Sequence, residues 1–182
     1  MRQSRKILVP NDFSVRPLIL LKKIMEQDPN HNFEIMLLNG VYPPDNVSSL
    51  LFYNKTRVVK ENESSGFINA RDLFKQKFRP RIKAFYSEVI TSKSRFALNA
   101  FLKTNNIQEI YLPEGMIFQF NQRESFDPIP LLKKASLPVK TISFENEHEE
   151  KTSRLRDLTT NFINDLKEAL LSPPYEGRLA VS

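Results

Sequence analysis

The stretch KILVPNDFS, residues 6–14, constrains this chain more than any other, because it joins an apolar strand to a polar turn and passes directly into an amphipathic helix. Ile7, Leu8 and Val9 form the apolar run. Pro10 closes it, since a residue without an N–H cannot continue a central ladder. Asn11, Asp12 and Ser14 are turn and cap formers. Ser14 can accept a hydrogen bond from the first free amides of a helix starting at Val15, and Pro17 falls in that first turn, where a missing N–H is harmless. Strand, tight loop and helix in that order put the loop at the carboxyl end of a strand, where open α/β sheets bind ligands. Asp12 is therefore the first candidate site residue.

The remainder repeats the alternation. Leu18, Leu21 and Met25, widened by Leu20 and Ile24, give a helix over residues 15–27. The run FEIMLL, residues 33–38, is apolar on both alternating sets, as in a central parallel strand, and Gly40 is expected to break it. Residues 46–61 are expected to form a helix, and residues 61–65 a polar break. A clearer helix spans residues 67–78, with Phe67, Ala70, Phe74 and Phe78 as core. Residues 81–90 alternate as a half-exposed edge strand. Ser92 or Ser94 caps a helix with Phe96, Ala97, Ala100 and Phe101 inward. A fourth strand follows at 107–112, stopped by Pro113. The long loop 113–127 carries Phe118 and Phe120 exposed, Asp127 caps a short helix to Ala135, and residues 139–144 form the fifth strand. After the charged linker 145–154, Leu155, Leu158, Phe162, Leu166 and Leu170 stripe a final helix over 155–171 that must cover apolar surface.

Several chemistries are excluded or disfavoured. The chain has no cysteine, so disulfides and thiolate chemistry are absent, and its four glycines lie too far apart for a glycine-rich phosphate loop of either standard spacing. His31 and His148 are the only histidines and read as solvated. No glycine-flanked serine, secure carboxylate pair or phospho-receiver pattern occurs. Within a net charge of +6, six bases (Arg71, Lys75, Lys77, Arg79, Arg81, Lys83) meet one acid, Asp72. This reads first as a solvated helix face and loop, and second as an attraction for polyanions. No run approaches the roughly 18 apolar residues of a membrane span, and no apolar segment of signal-peptide length follows the basic N-terminus, so a soluble cytoplasmic protein is expected.

Three segments, KILVPNDFS, LLNGVYPP and KKASLPVKTI, make residues 5–144 resemble the universal stress protein family. That resemblance implies a three-layer α/β/α fold with a five-stranded parallel sheet in the order 3-2-1-4-5. It also implies adenosine contacts at Asp12 and near Val41. The family's phosphate-binding glycine pattern would start at Gly115, but Phe118 and Pro128 stand where further glycines belong. Bulk replaces close backbone approach, and Pro128 and Pro130 remove amides. Arg123, Lys133 and Lys134 are the nearby bases, read first as ordinary surface charge. The expectation is a universal-stress-like domain over 1–144, with 145–182 as linker, amphipathic helix and tail. Its expected role is that of a non-catalytic stress or regulatory interaction module, a homodimer with a protein partner, no cofactor and no ATP binding. An adenine-nucleotide binder and a weak nucleic-acid binder are the alternatives.

Overall fold

A computed structural model describes residues 4–120, 125–144 and 155–171. Thirteen elements alternate along the chain: β1 (Ser4–Pro10), α1 (Arg16–Gln27), β2 (Asn32–Val41), α2 (Val47–Leu51), α3 (Lys55–Asn62), α4 (Ser65–Lys77), β3 (Ile82–Ile90), α5 (Arg95–Thr104), β4 (Glu109–Glu114), β5 (Ser125–Phe126), α6 (Ile129–Leu132), β6 (Val139–Ser143) and α7 (Leu155–Leu171). The parallel path is β3-β2-β1-β4-β6, and β5 adds to β2 antiparallel. The expected five-stranded order is thus present, with one short strand more.

Strand alternation divides the core into two layers. Ile7, Val9, Phe33, Ile35 and Leu37 face α1, α4 and α7, where they meet Leu18, Leu21, Phe67, Phe74, Leu158, Phe162 and Leu166. Leu8, Met36, Leu38, Ile110 and Leu112 face α5 and α6 through Leu98, Leu102, Leu131 and Leu132. Leu158, Phe162 and Leu166 of the α7 stripe are therefore docked within the chain, chiefly on α4. Gly66 of α4 lies against Thr159, and Lys22 of α1 reaches Asp165 at 3.4 Å.

Several expectations are corrected. Gly40 does not break β2. The strand continues to Val41, and Gly40 is required because a Cβ there would lie 2.7 Å from the Phe126 ring of the paired β5. Residues 46–61 are two helices, parted where Asn54 caps α3 by accepting from Thr56 N at 2.9 Å, and α3 runs into the expected break. Pro113 lies inside β4, because the β1 ladder ends at Leu8↔Ile110 and makes no demand on its nitrogen. On α5 Leu98 and Leu102 are the buried inward pair with Phe101 packed against the same core as expected, while Phe96 is 84% exposed and Ala100 is exposed. Phe118 is buried in the core with Phe120 packed beside it. His31 is tied to Asp28, Nδ1 to Oδ1 at 2.6 Å. Helix α6 ends at Leu132, short of Ala135. Arg123, His148 and the 145–154 linker lie outside the described residues.

Candidate functional site at the carboxyl end of β1 and β2

Two expected site residues come together on one cavity. Asp12 follows β1 and Val41 ends β2, and both line a cavity of about 1000 Å³ whose outer side is built by α2, α3 and the strand-β4 loop. Tyr42, Phe52, Tyr53 and Phe120 give it an aromatic body. Asn39, Arg57 and Glu61 contribute polar groups.

The β1 loop is rigid for local reasons. Phe13 adopts φ 59°, a left-handed conformation unusual for a bulky side chain. Hydrogen bonds hold it: Phe13 N donates to Asn11 Oδ1 at 3.1 Å, and Ser14 N to Asp12 Oδ1 at 3.0 Å. Ser14 Oγ donates to the same carboxylate oxygen at 2.6 Å and accepts from Arg16 N at 3.1 Å, so Ser14 does serve the start of α1. Asp12 Oδ2 accepts from Gln119 N at 2.9 Å, across more than one hundred residues of sequence. The carboxylate is thus a tether between the β1 loop and the loop after β4.

Beneath it lies a pair that sequence reasoning missed. Asn11 and Asn39 are buried. Asn11 Nδ2 donates to Asn39 Oδ1 at 3.0 Å, and Asn39 Nδ2 to Asn11 O at 2.8 Å. A polar residue late in the otherwise apolar LLNGV was the signal, because a buried amide must find partners. On the cavity wall, the Tyr53 hydroxyl is buried and has no hydrogen-bond partner among the described residues. Burial pushes its pKa up, so it remains a protonated donor.

The region after β4, where the resemblance puts phosphate contacts, is occupied by the chain itself. Gly115 has φ +87° and packs on the Phe144 backbone, which accounts for a glycine there. Phe118 enters the core, Gln119 N serves Asp12, and Phe126 covers Gly40 and contacts the Tyr42 ring at 5.3 Å between centroids. Lys93 closes this cluster, donating to Tyr42 Oη at 2.7 Å and lying 5.0 Å from the Phe126 centroid. Asp127 Oδ1 accepts from Ile129 N at 2.8 Å; Lys133 and Lys134 are exposed beyond it.

Of the six-base stretch, Lys77 is half-buried over the Phe78 ring and two further members are engaged internally. Arg71 pairs with Glu63, and Arg81 donates to the Met25, Asp28 and His31 carbonyls at the end of α1. Among the described residues, no group of three His, Asp or Glu side chains could hold a metal ion, and no helix is long and apolar enough to cross a membrane.

No protein-family model matches the chain, and no curated protein matches it. Solved structures of similar outline include the crystal structure of hypothetical protein PH0823, with 20% identity and TM-score 0.46, covering 76% of this chain and 95% of that one. Hypothetical protein MJ0577 is similar at 17% identity and TM-score 0.45, covering 78% of this chain and 97% of that one.

Proposed function

We propose that this chain is a universal-stress-like, non-catalytic regulatory interaction module that does not use ATP. The observation that supports the reading is the internal engagement of the β4–α6 connection, where Phe118, Gln119 N and Phe126 occupy what a triphosphate would need. An anion nest requires free, closely approachable amides, and Pro128 and Pro130 supply none. The protein acts in the cytoplasm as a homodimer. Among the described residues no further strand pairs at β6, α3 packs beside the other edge at β3, and α7 covers its own chain and is not needed for a partner.

The cavity beside Asp12 favours a second reading, a binder of a nucleoside-type ligand, because Tyr42, Phe52, Tyr53 and Phe120 give it an aromatic wall with Arg57 and Glu61 beside it. Melting with ATP and magnesium, and separately with adenosine, tests both. A ligand at 100 times its dissociation constant stabilises by about 2.7 kcal/mol, an easily read shift. The first reading expects no shift with ATP. A shift lost in Asp12→Ala defeats it, and one produced by adenosine alone and lost in Phe52→Ala establishes the second.

A further inference from the structure

Helix α2 turns its apolar side to water. Val47, Leu50 and Leu51 stand at spacings of three and four residues, so they share one face of the helix. All three are exposed, and so is Phe52, the residue that follows. Ser48 lines the Asp12 cavity, so a polar side chain of α2 is turned toward the chain while the apolar stripe is turned away from it. A helix that completes the surface of a lone globular chain does the reverse. Among the described residues no other element packs broadly on α2, and the stripe is left without a cover.

Its area and its charges select the cover. The four side chains expose on the order of 400 Å² of apolar surface, a patch of the size that marks an interaction site. A standard interface takes about 800 Å² from each partner, so the stripe makes the apolar half of one and its polar surroundings make the rim. Over residues 45–63 those surroundings carry Asp45, Glu61 and Glu63 against Lys55, Arg57 and Lys60. That balance gives no net attraction to an anionic lipid surface. Both signs are what a surface needs to meet a copy of itself, because a two-fold contact sets a patch against the same patch reversed. Asp45 precedes the stripe and Lys55 follows it, and neither forms an ion pair among the described residues. Antiparallel pairing of two α2 helices brings Asp45 toward the partner's Lys55 on both sides of the axis.

We infer that the outward stripe of α2 is the contact face of a homodimer, in which Val47, Leu50, Leu51 and Phe52 pack on their own copies across a two-fold axis and Asp45 and Lys55 fix the antiparallel orientation. This rests on the homodimer of the functional reading and gives it a surface. Phe52 belongs to the stripe and to the cavity wall alike, so association sets the second copy beside the mouth of the Asp12 cavity.

The test is sedimentation velocity of the full-length protein across micromolar concentrations, where a concentration-dependent dimer is expected. Leu51→Asp changes a side chain that supports no core and is expected to raise the dissociation constant at least about tenfold, whereas Phe96→Asp, at an equally exposed apolar residue of α5, leaves it unchanged. Asp45→Lys and Lys55→Asp each set like charges together, and each is expected to weaken the dimer about tenfold at low salt. An equimolar mixture of these two variants restores both opposite-charge contacts and is expected to associate as the unsubstituted chain does, which no effect confined to one chain can produce. A dimer indifferent to Leu51→Asp overturns the inference and leaves the homodimer standing on another surface. Charge variants that stay weak when mixed also overturn it. A monomer at every concentration overturns the inference and the homodimer together, whether or not it binds phosphatidylserine vesicles. The melting shift with ATP is read on the same samples, so failure of the ATP-free reading is distinguished from failure of the interface.

Discussion

Gly40→Ala concentrates the architecture of the carboxyl end into one methyl group. An added Cβ would lie 2.7 Å from two atoms of the Phe126 ring and closer still to the Phe126 carbonyl oxygen. The ring could turn, but the carbonyl belongs to β5, which is paired with Gly40 and Val41. Relief therefore comes from β2 yielding or from β5 leaving. Overpacking of this kind costs about 1–3 kcal/mol. Departure of β5 sets the upper bound: Phe126, 6% exposed, loses roughly 1.5–3 kcal/mol of burial, and each ladder bond about 0.5–1.5 kcal/mol. The expected loss is thus about 1–3 kcal/mol by urea denaturation, with new protease cleavage within residues 119–127. Unchanged stability and unchanged protease resistance would refute the account of Gly40 as a close-approach residue.

Three further outcomes follow from particular contacts. Arg81→Met removes a guanidinium from three carbonyls at the end of α1 and should cost about 2–3 kcal/mol in chemical denaturation, against under about 0.5 kcal/mol for Lys83→Met at the exposed neighbour. Tyr53→Phe deletes a buried hydroxyl without a partner and should leave the melting temperature unchanged or higher; a fall would mean that the hydroxyl is bonded in the free protein. For Asp28, burial alone raises the pKa, but the hydrogen bond and charge of His31 and the Arg5 guanidinium outweigh it and hold the carboxyl below its ordinary range. Its contribution is then complete above about pH 4 and disappears as pH falls through the lowered folded value, so the stabilities of wild type and Asp28→Asn should converge in acid and separate toward neutrality.

The path of the sheet was legible because the central strands β1 and β2 are buried apolar runs and the edge strand β3 alternates, and β1 with its loop carried the candidate Asp12 with it. What escaped had physical reasons. Strand β5 is two residues long, too short for any periodicity, and it exists because Gly40 lets Phe126 approach. On α5, two phenylalanines outweighed two leucines in the sequence pattern, yet the leucines face the sheet and Phe96 does not. Asn54 is an ordinary cap whose role became visible only once the chain broke before it. Asn39 could have been singled out, since an amide inside a strand buried on both faces has to be answered by another polar group, and Asn11 in the adjacent loop answers it.

Where a partner can act is constrained by what the helices already cover. Both faces of the sheet are closed, one by α1, α4 and α7, the other by α5 and α6. Several large apolar side chains that remain in water belong to α2 and the residue after it, with Val47 74%, Leu51 78% and Phe52 79% exposed, and Phe52 lies on the rim of the Asp12 cavity. That rim sits on two short helices without a buried face, and immobilising them would cost backbone and side-chain entropy. The edge of β3, by contrast, is fixed by its ladder to β2 and flanked by α3. A partner strand at that edge would have to displace α3, whereas the apolar side chains of the rim are already in water and gain burial as soon as a partner covers them.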